Sequence, residues 1–164
     1  MLEHDILGAL ARDPKVERVL FVGVQWYTTR YPTHFEGKTF ATIDPEPKVA
    51  EFGGKPHAVG QIQDLAEHFP GVVFDAIVMS GVIGFGLNDP PEVDRALAAC
   101  DKALRPGGVL VLGVNELKPT HVDPTKSLAF ASFEPRAFGA LGERLDVALP
   151  FRERRHTFLF FAKR

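Results

Sequence analysis

The sequence predicts an α/β domain built on a doubly wound, mostly parallel seven-stranded sheet with an antiparallel last strand. Three observations carry that prediction. Phe74-Asp75-Ala76-Ile77-Val78-Met79 and Val109-Leu110-Val111-Leu112-Gly113-Val114 are apolar runs, the mark of parallel strands covered on both faces. Between them Val93, Ala96, Leu97, Cys100 and Leu104 recur at helical spacing, which supplies the crossover. Near the end of the chain, only the charged turn Arg152-Glu153-Arg154-Arg155 separates two strand patterns, so that pair must run antiparallel.

The 164 residues suit one domain, 1–164. A net charge of −2 gives no electrostatic case for nucleic acid or an acidic membrane. No apolar run approaches the roughly 20 residues that span a bilayer. Met1-Leu2-Glu3-His4-Asp5 lacks the basic and apolar regions of a secretory leader, so a cytoplasmic protein is expected. The single cysteine excludes an internal disulfide. Cys100 lies on the apolar stripe and reads as a small core residue.

In chain order, Asp5 to Ala11 reads as a helix stopped by Asp13-Pro14. Val16 to Gly23 is the first strand, and Tyr27 to Phe35 allows only a short helix around Pro32. Thr39 to Ile43 is the second strand, ending on Asp44-Pro45. Glu46 to Phe52 has room for one or two helical turns. His57-Ala58-Val59 is a brief third strand, and Gln61 to Phe69 a helix closed by Pro70-Gly71. After the fourth strand, Ser80-Gly81-Val82-Ile83-Gly84-Phe85-Gly86 is a loop whose glycines permit positive φ or close approach. Asn88 or Asp89 caps the following helix. Arg105-Pro106-Gly107-Gly108 turns the chain into the fifth strand. Asn115 to Ser132 is irregular, and connections of that length are usually functional or mobile. Ser132 is placed to cap a helix from Phe133 to Leu141, and Arg144 to Phe151 and His156 to Ala162 are the closing strands.

This pattern resembles the class I S-adenosylmethionine (SAM)-dependent methyltransferases over roughly Val16 to Lys163. Its most specific part is Phe74-Asp75-Ala76-Ile77-Val78, the capped helix, and Leu104-Arg105-Pro106-Gly107-Gly108-Val109-Leu110-Val111. The resemblance implies a Rossmann-like methyltransferase fold, SAM as cofactor, and a set of contacts. Asp44 is similar to the acidic residue that accepts from the ribose hydroxyls. An ionised carboxylate is acceptor-only and so suits a diol; Asp44 also follows Gly23 by 21 positions, near the spacing of about 20 in dinucleotide folds. The first loop departs from the family's acidic-x-Gly-x-Gly-x-Gly. Phe21 replaces the acid and Gln25 and Tyr27 replace two glycines, leaving Gly23. Gln25 is placed for the amino-acid end of the cofactor; alternatively, Trp26 and Tyr27 pack inward and close the loop. Gln61 and Ile62 resemble the adenine-contacting segment, with Asp64 a turn further on. Ser80 and Gly81 lie in the loop that flanks the cofactor in this fold.

Methyl transfer from a sulfonium is an in-line displacement in which alignment does much of the work, and a base is optional. The candidates for such a base or partner are His34, Asn115, Glu116 and His121, each lone in a loop where a surface role is the default. His156 starts the last strand and reads as structural. The six histidines form no paired motif, and no metal is expected. Arg152, Arg154, Arg155, Lys163 and Arg164 form a basic concentration that suits a solvated turn, or an anionic acceptor or partner. The expected activity is that of a small methyltransferase with an unidentified acceptor. The alternative is a binding or scaffold domain that has lost the cofactor. An NAD-type oxidoreductase is disfavoured because no Gly-x-Gly-x-x-Gly follows a strand. The segment 115–132 is the candidate acceptor wall, and a homo-oligomer is left open.

Overall fold

The computed structural model describes residues 1–115, 122–148 and 155–164. A π-helical turn, Leu2–Leu7, runs into α1 (Gly8–Arg12). The strands that follow are β1 (Arg18–Val22), β2 (Thr39–Asp44), β3 (His57–Val59), β4 (Phe74–Ser80) and β5 (Leu104–Asn115). They pair in parallel throughout. α2 (Leu65–His68) leads to β4, and α3 (Pro90–Ala103) carries the chain from β4 to β5. Asp89 is the residue that caps α3, its Oδ1 accepting from the Glu92 amide at 2.9 Å. Two proline residues at the helix start lack amide hydrogens that would have no partner there.

The chain then adds β6 (Phe133–Pro135), β7 (Arg144–Ala148) and β8 (Arg155–Lys163). The sheet order is β3-β2-β1-β4-β5-β8-β6, with β7 also on β8. β8 is antiparallel to all three of its neighbours. β7 pairs with the first half of β8 and β6 with its end, so two short strands divide one edge. The expected doubly wound sheet with its inserted antiparallel strand is what forms, with eight strands in place of seven.

The extra strand stands where a helix is expected. Phe133 to Leu141 has a helical pattern, but Phe133–Pro135 pairs with Phe161 to Lys163, and only Gly139–Leu141 makes a 3-10 turn. A proline near a helix start and a proline on a sheet edge look alike in sequence, because neither place needs its N–H. Tertiary contact decides: Phe133 is 3% exposed and joins Phe130, whose ring meets Phe161 edge-on at 4.5 Å. Likewise Arg105 to Gly108, expected as a turn, and Leu104, expected on the helical stripe, are part of β5, with a register irregularity between Phe74 and Ala76.

Two apolar layers cover the sheet, and the strands' two-residue period assigns side chains to them. Leu20, Ile43, Ile77, Met79, Leu110 and Leu112 face α2 and α3. Val19, Phe21, Ala76, Val78, Val111 and Phe160 face the N-terminal helix, Tyr31 and Phe35. Each fully buried aliphatic or aromatic side chain contributes about 1.5–3 kcal/mol. Cys100 sits in the first layer, 0% exposed, and burial pushes its thiol up to about 12. In the native protein a thiol reagent at pH 8 is expected to leave Cys100 unmodified until denaturant is added; rapid labelling without denaturant would contradict its burial.

At the opposite end of the sheet from the strand C-termini, one carboxylate ties three strands together. Asp75 accepts from the Glu17 amide at 2.8 Å, the Arg18 amide at 2.9 Å and Arg105 Nε at 2.6 Å. It thereby aligns the starts of β1, β4 and β5. Among the described residues no helix is long and apolar enough to cross a membrane.

Candidate functional site at the strand C-termini

The strand order reverses between β1 and β4, since the chain moves outward from β1 to β3 and then returns to β4 on the other side. In open α/β sheets the crevice outside such a switch point is where ligands bind. Gly23 follows β1 and Ser80 ends β4, so these two residues flank the crevice. Gly23 has φ +87°, and a Cβ there would stand 3.1 Å from Val82 Cγ2 and 3.9 Å from the Ser80 carbonyl oxygen. A side chain would be strained and would narrow the crevice.

Asp44 ends β2, one strand over, and is 8% exposed. Its Oδ2 accepts from the Val24 amide and its Oδ1 from the Glu46 amide, both at 2.8 Å. The carboxylate therefore sets the backbone of the first loop. Two amides use only part of its accepting capacity, since a carboxylate offers about four lone-pair sites. Thr28, 4% exposed, fastens the loop from the other end: its hydroxyl donates to the Gln25 carbonyl at 2.7 Å.

Between these anchors the loop turns its large side chains outward. Gln25 is exposed, Trp26 is 72% exposed and Tyr27 56%. The two aromatic rings meet edge to face at 5.6 Å on the surface. The inward packing that would close the loop does not occur.

Beyond β4, Gly81 has φ +74°, and a Cβ there would meet nothing within 4 Å, so its outer side is open. Its amide donates to the Gly113 carbonyl at 3.0 Å. Ser80 is half-buried, and its Oγ lies 3.3 Å from His156 Nε2. His156 Nδ1 in turn lies 2.6 Å from Asn115 Oδ1. Burial lowers the pKa of this imidazole below its ordinary value of 6.5. The structure thus brings together Ser80, Asn115 and a histidine that reads from sequence as structural. The signal that would have found His156 is the register of β8 on β5, which places it opposite Asn115; the two lie 41 positions apart in the chain.

The remaining candidates fall elsewhere. His34 Nε2 meets Glu3 Oε1 at 3.1 Å, and its ring packs edge-on against His4. That pair joins the 3-10 helix Tyr31–Phe35 to the N-terminal helix, away from Ser80. The hydrogen bond from His34 holds the Glu3 carboxyl below its usual range. Gln61 is exposed just past β3, whereas Ile62 is 4% exposed and its side chain belongs to the core. Glu116, His121, Arg152 and Arg154 lie outside the described residues. A groove of about 410 Å³ between α2 and α3 belongs to the helical layer; of the residues singled out in the sequence only Asp64 lines it.

A family described as "Methyltransferase domain" matches residues 22–112, from the end of β1 to within β5. No curated protein matches the sequence. Among solved structures, the N-methyltransferase NodS from Bradyrhizobium japonicum WM9 is similar, with TM-score 0.74 at 18% identity, covering 98% of this chain and 93% of that one. A TehB-like SAM-dependent methyltransferase from Corynebacterium glutamicum gives TM-score 0.68 at 17% identity, covering 98% and 89%. The sugar N-methyltransferase KedS8 from Streptoalloteichus gives 0.62 at 18%, covering 99% and 87%. At such identities these likenesses concern the fold.

Proposed function

The chain belongs to the methyltransferase domain family, and on that premise we propose that it is a small SAM-dependent methyltransferase whose cofactor lies over the ends of β2, β1 and β4. The observation that carries the proposal is Asp44, a nearly buried carboxylate with spare accepting capacity beside a positive-φ glycine. Its chemistry fits the two ribose hydroxyls, each of which needs an acceptor. Gly23 lets the backbone come close to the cofactor, and Gln25, exposed to solvent, offers donor and acceptor to the amino-acid end. Gln61 is placed for the adenine amine. Ser80 and Gly81 border the transferring end. When bound, SAM supplies an electrophilic methyl group; the protein's part is to align that group with the acceptor and to exclude competing geometries. No cluster among the described residues calls for a metal, and the acceptor is unidentified.

A second reading, a scaffold domain that has lost the cofactor, is favoured by the two glycines replaced by Gln25 and Tyr27. The outward course of those side chains removes its steric basis. Calorimetric titration separates the two. Binding of SAM and S-adenosylhomocysteine (SAH) with dissociation constants of about micromolar order, or about −8 kcal/mol, and none of NAD, is expected. No heat and no thermal shift at millimolar SAM or SAH would leave the scaffold reading in place.

A further inference from the structure

We propose that Ser80, His156 and Asn115 form a proton relay that acts as the general base for the methyl acceptor, and that the acceptor is therefore a protic group, an O–H or N–H that must lose its proton. The proposal rests on the methyltransferase reading above and extends it to residues that the family match does not reach, since Asn115 and His156 lie beyond residue 112.

Three elements build the relay. Ser80 closes β4, Asn115 closes β5, and His156 stands opposite Asn115 on β8. With the Asn115 oxygen toward Nδ1 at 2.6 Å, the imidazole carries its proton on Nδ1 and leaves Nε2 as an acceptor. The Ser80 hydroxyl, at 3.3 Å, then donates to Nε2 and keeps its oxygen lone pairs free to accept a proton. The order is that of an activated hydroxyl, with a base, and a third group that fixes the base's tautomer.

The surroundings support the arrangement independently. Position 113 is glycine, and a Cβ there would stand 2.6 Å from Ser80 Oγ and 2.7 Å from His156 Nε2. Any larger residue in that place would push the two apart. The Phe158 ring closes one side of the imidazole, edge-on at 4.5 Å. On β7 the residue opposite His156 is Val147. The neighbouring Asp146 faces Thr157, accepting its hydroxyl at 2.7 Å, and pairs with Arg144. Arg155 precedes His156 on its own strand. Among the described residues no carboxylate contacts the ring, so burial alone acts on it and keeps it neutral at pH 7. A neutral imidazole is the form able to take a proton.

The location also suits the chemistry. The Ser80 backbone carbonyl is 3.9 Å from the position of a Gly23 Cβ, so the residue that begins the relay borders the crevice where the first loop turns. The proton balance is closed. The acceptor's proton passes to Ser80 Oγ as the serine proton passes to His156 Nε2. The acceptor atom forms its bond to the methyl carbon, and the electron pair of the broken C–S bond stays on sulfur. The imidazolium that results keeps its Nδ1–H on Asn115 and releases the extra proton to solvent. A carboxylate acceptor, already deprotonated at neutral pH, has no use for such a base.

The test is a nitrogen-15 NMR titration of His156, assigned through its backbone, in the full chain with SAM and with SAH, each sample checked for binding by calorimetry. The expected result is an Nδ1–H tautomer titrating below 6.5. SAM carries a sulfonium charge that SAH lacks, so a relay beside the reacting methyl is expected to titrate about one pH unit lower in the SAM complex. A histidine with only a structural role away from the methyl would titrate alike in both. An Nε2–H tautomer, or equal titration in the two complexes, overturns the relay. Absence of binding by either ligand shows in the calorimeter instead, and removes the methyltransferase reading together with the relay.

Discussion

Asp44→Ala is expected to weaken SAH binding by about a hundredfold or more and to lower stability by about 2–3 kcal/mol. Both effects come from the same carboxylate. In the folded protein it satisfies the Val24 and Glu46 amides, each at 2.8 Å. Alanine leaves the Val24 amide, at a residue 0% exposed, without its acceptor, which costs more than the bond contributed. The loop from Gly23 to Thr28 then loses its anchor at one end, while Thr28 still holds the other. On the proposed reading, the ribose hydroxyls lose their acceptor as well. Asp44→Asn separates the two contributions. Its carbonyl oxygen still accepts from one amide, but its NH2 opposes the other, so a smaller stability loss is expected with most of the affinity loss retained. Urea unfolding read beside calorimetry checks this, and wild-type SAH affinity in Asp44→Ala would remove Asp44 from the site.

Asp75→Ala is expected to be the more damaging change for the fold itself, at about 3 kcal/mol or more. Two consecutive amides at the start of β1 and the Arg105 side chain converge on its oxygens. Removing the carboxylate leaves the guanidinium, half-buried beside it, without its counter-charge, holding only the Pro106 and Lys15 carbonyls. The pH dependence follows from the direction of the shift. Burial acts to raise the Asp75 pKa, but the hydrogen bonds from Arg18, Glu17 and Arg105 outweigh it and hold the value below the ordinary 3.8. A depressed folded value means that the stabilisation is fully present above 3.8 and is lost as pH falls through the lower folded value. Asp75→Asn removes this titration. In acid, the wild type is therefore expected to lose stability toward the mutant's level, while at pH 7 the gap is largest. A gap independent of pH would show that Asp75 acts through packing alone.

The two carboxylates sit at opposite ends of the same sheet and differ in how visible their positions are in the sequence. Asp44 is legible because its position follows from a short run, a strand of β-branched and apolar residues that ends on Asp-Pro, at a recognisable distance from Gly23. Asp75 shows only as a polar residue near the start of an apolar strand. Its partners at positions 17, 18 and 105 meet it only once β1, β4 and β5 lie side by side.

The sequence alone determined the doubly wound, mostly parallel sheet with its antiparallel last strand, because alternating apolar strands and an amphipathic α3 leave few other ways to cover both faces. It also placed Gly23 at the turn after β1 and Asp44 at the end of β2, since strand termini are local features. Three matters were decided by tertiary structure. Phe133–Pro135 became a strand because β8 offered an unpaired edge and an aromatic pocket, which no local preference records. Trp26 and Tyr27 turned outward because Asp44 and Thr28 hold the loop's backbone at both ends, so that the missing glycines do not close the crevice. His156 gained partners because antiparallel register brings it opposite Asn115 and beside Ser80. Local pattern specifies which residues are apolar and where the chain turns; contact between residues far apart in sequence depends on how the strands align, and that alignment is settled by the packing of the whole sheet.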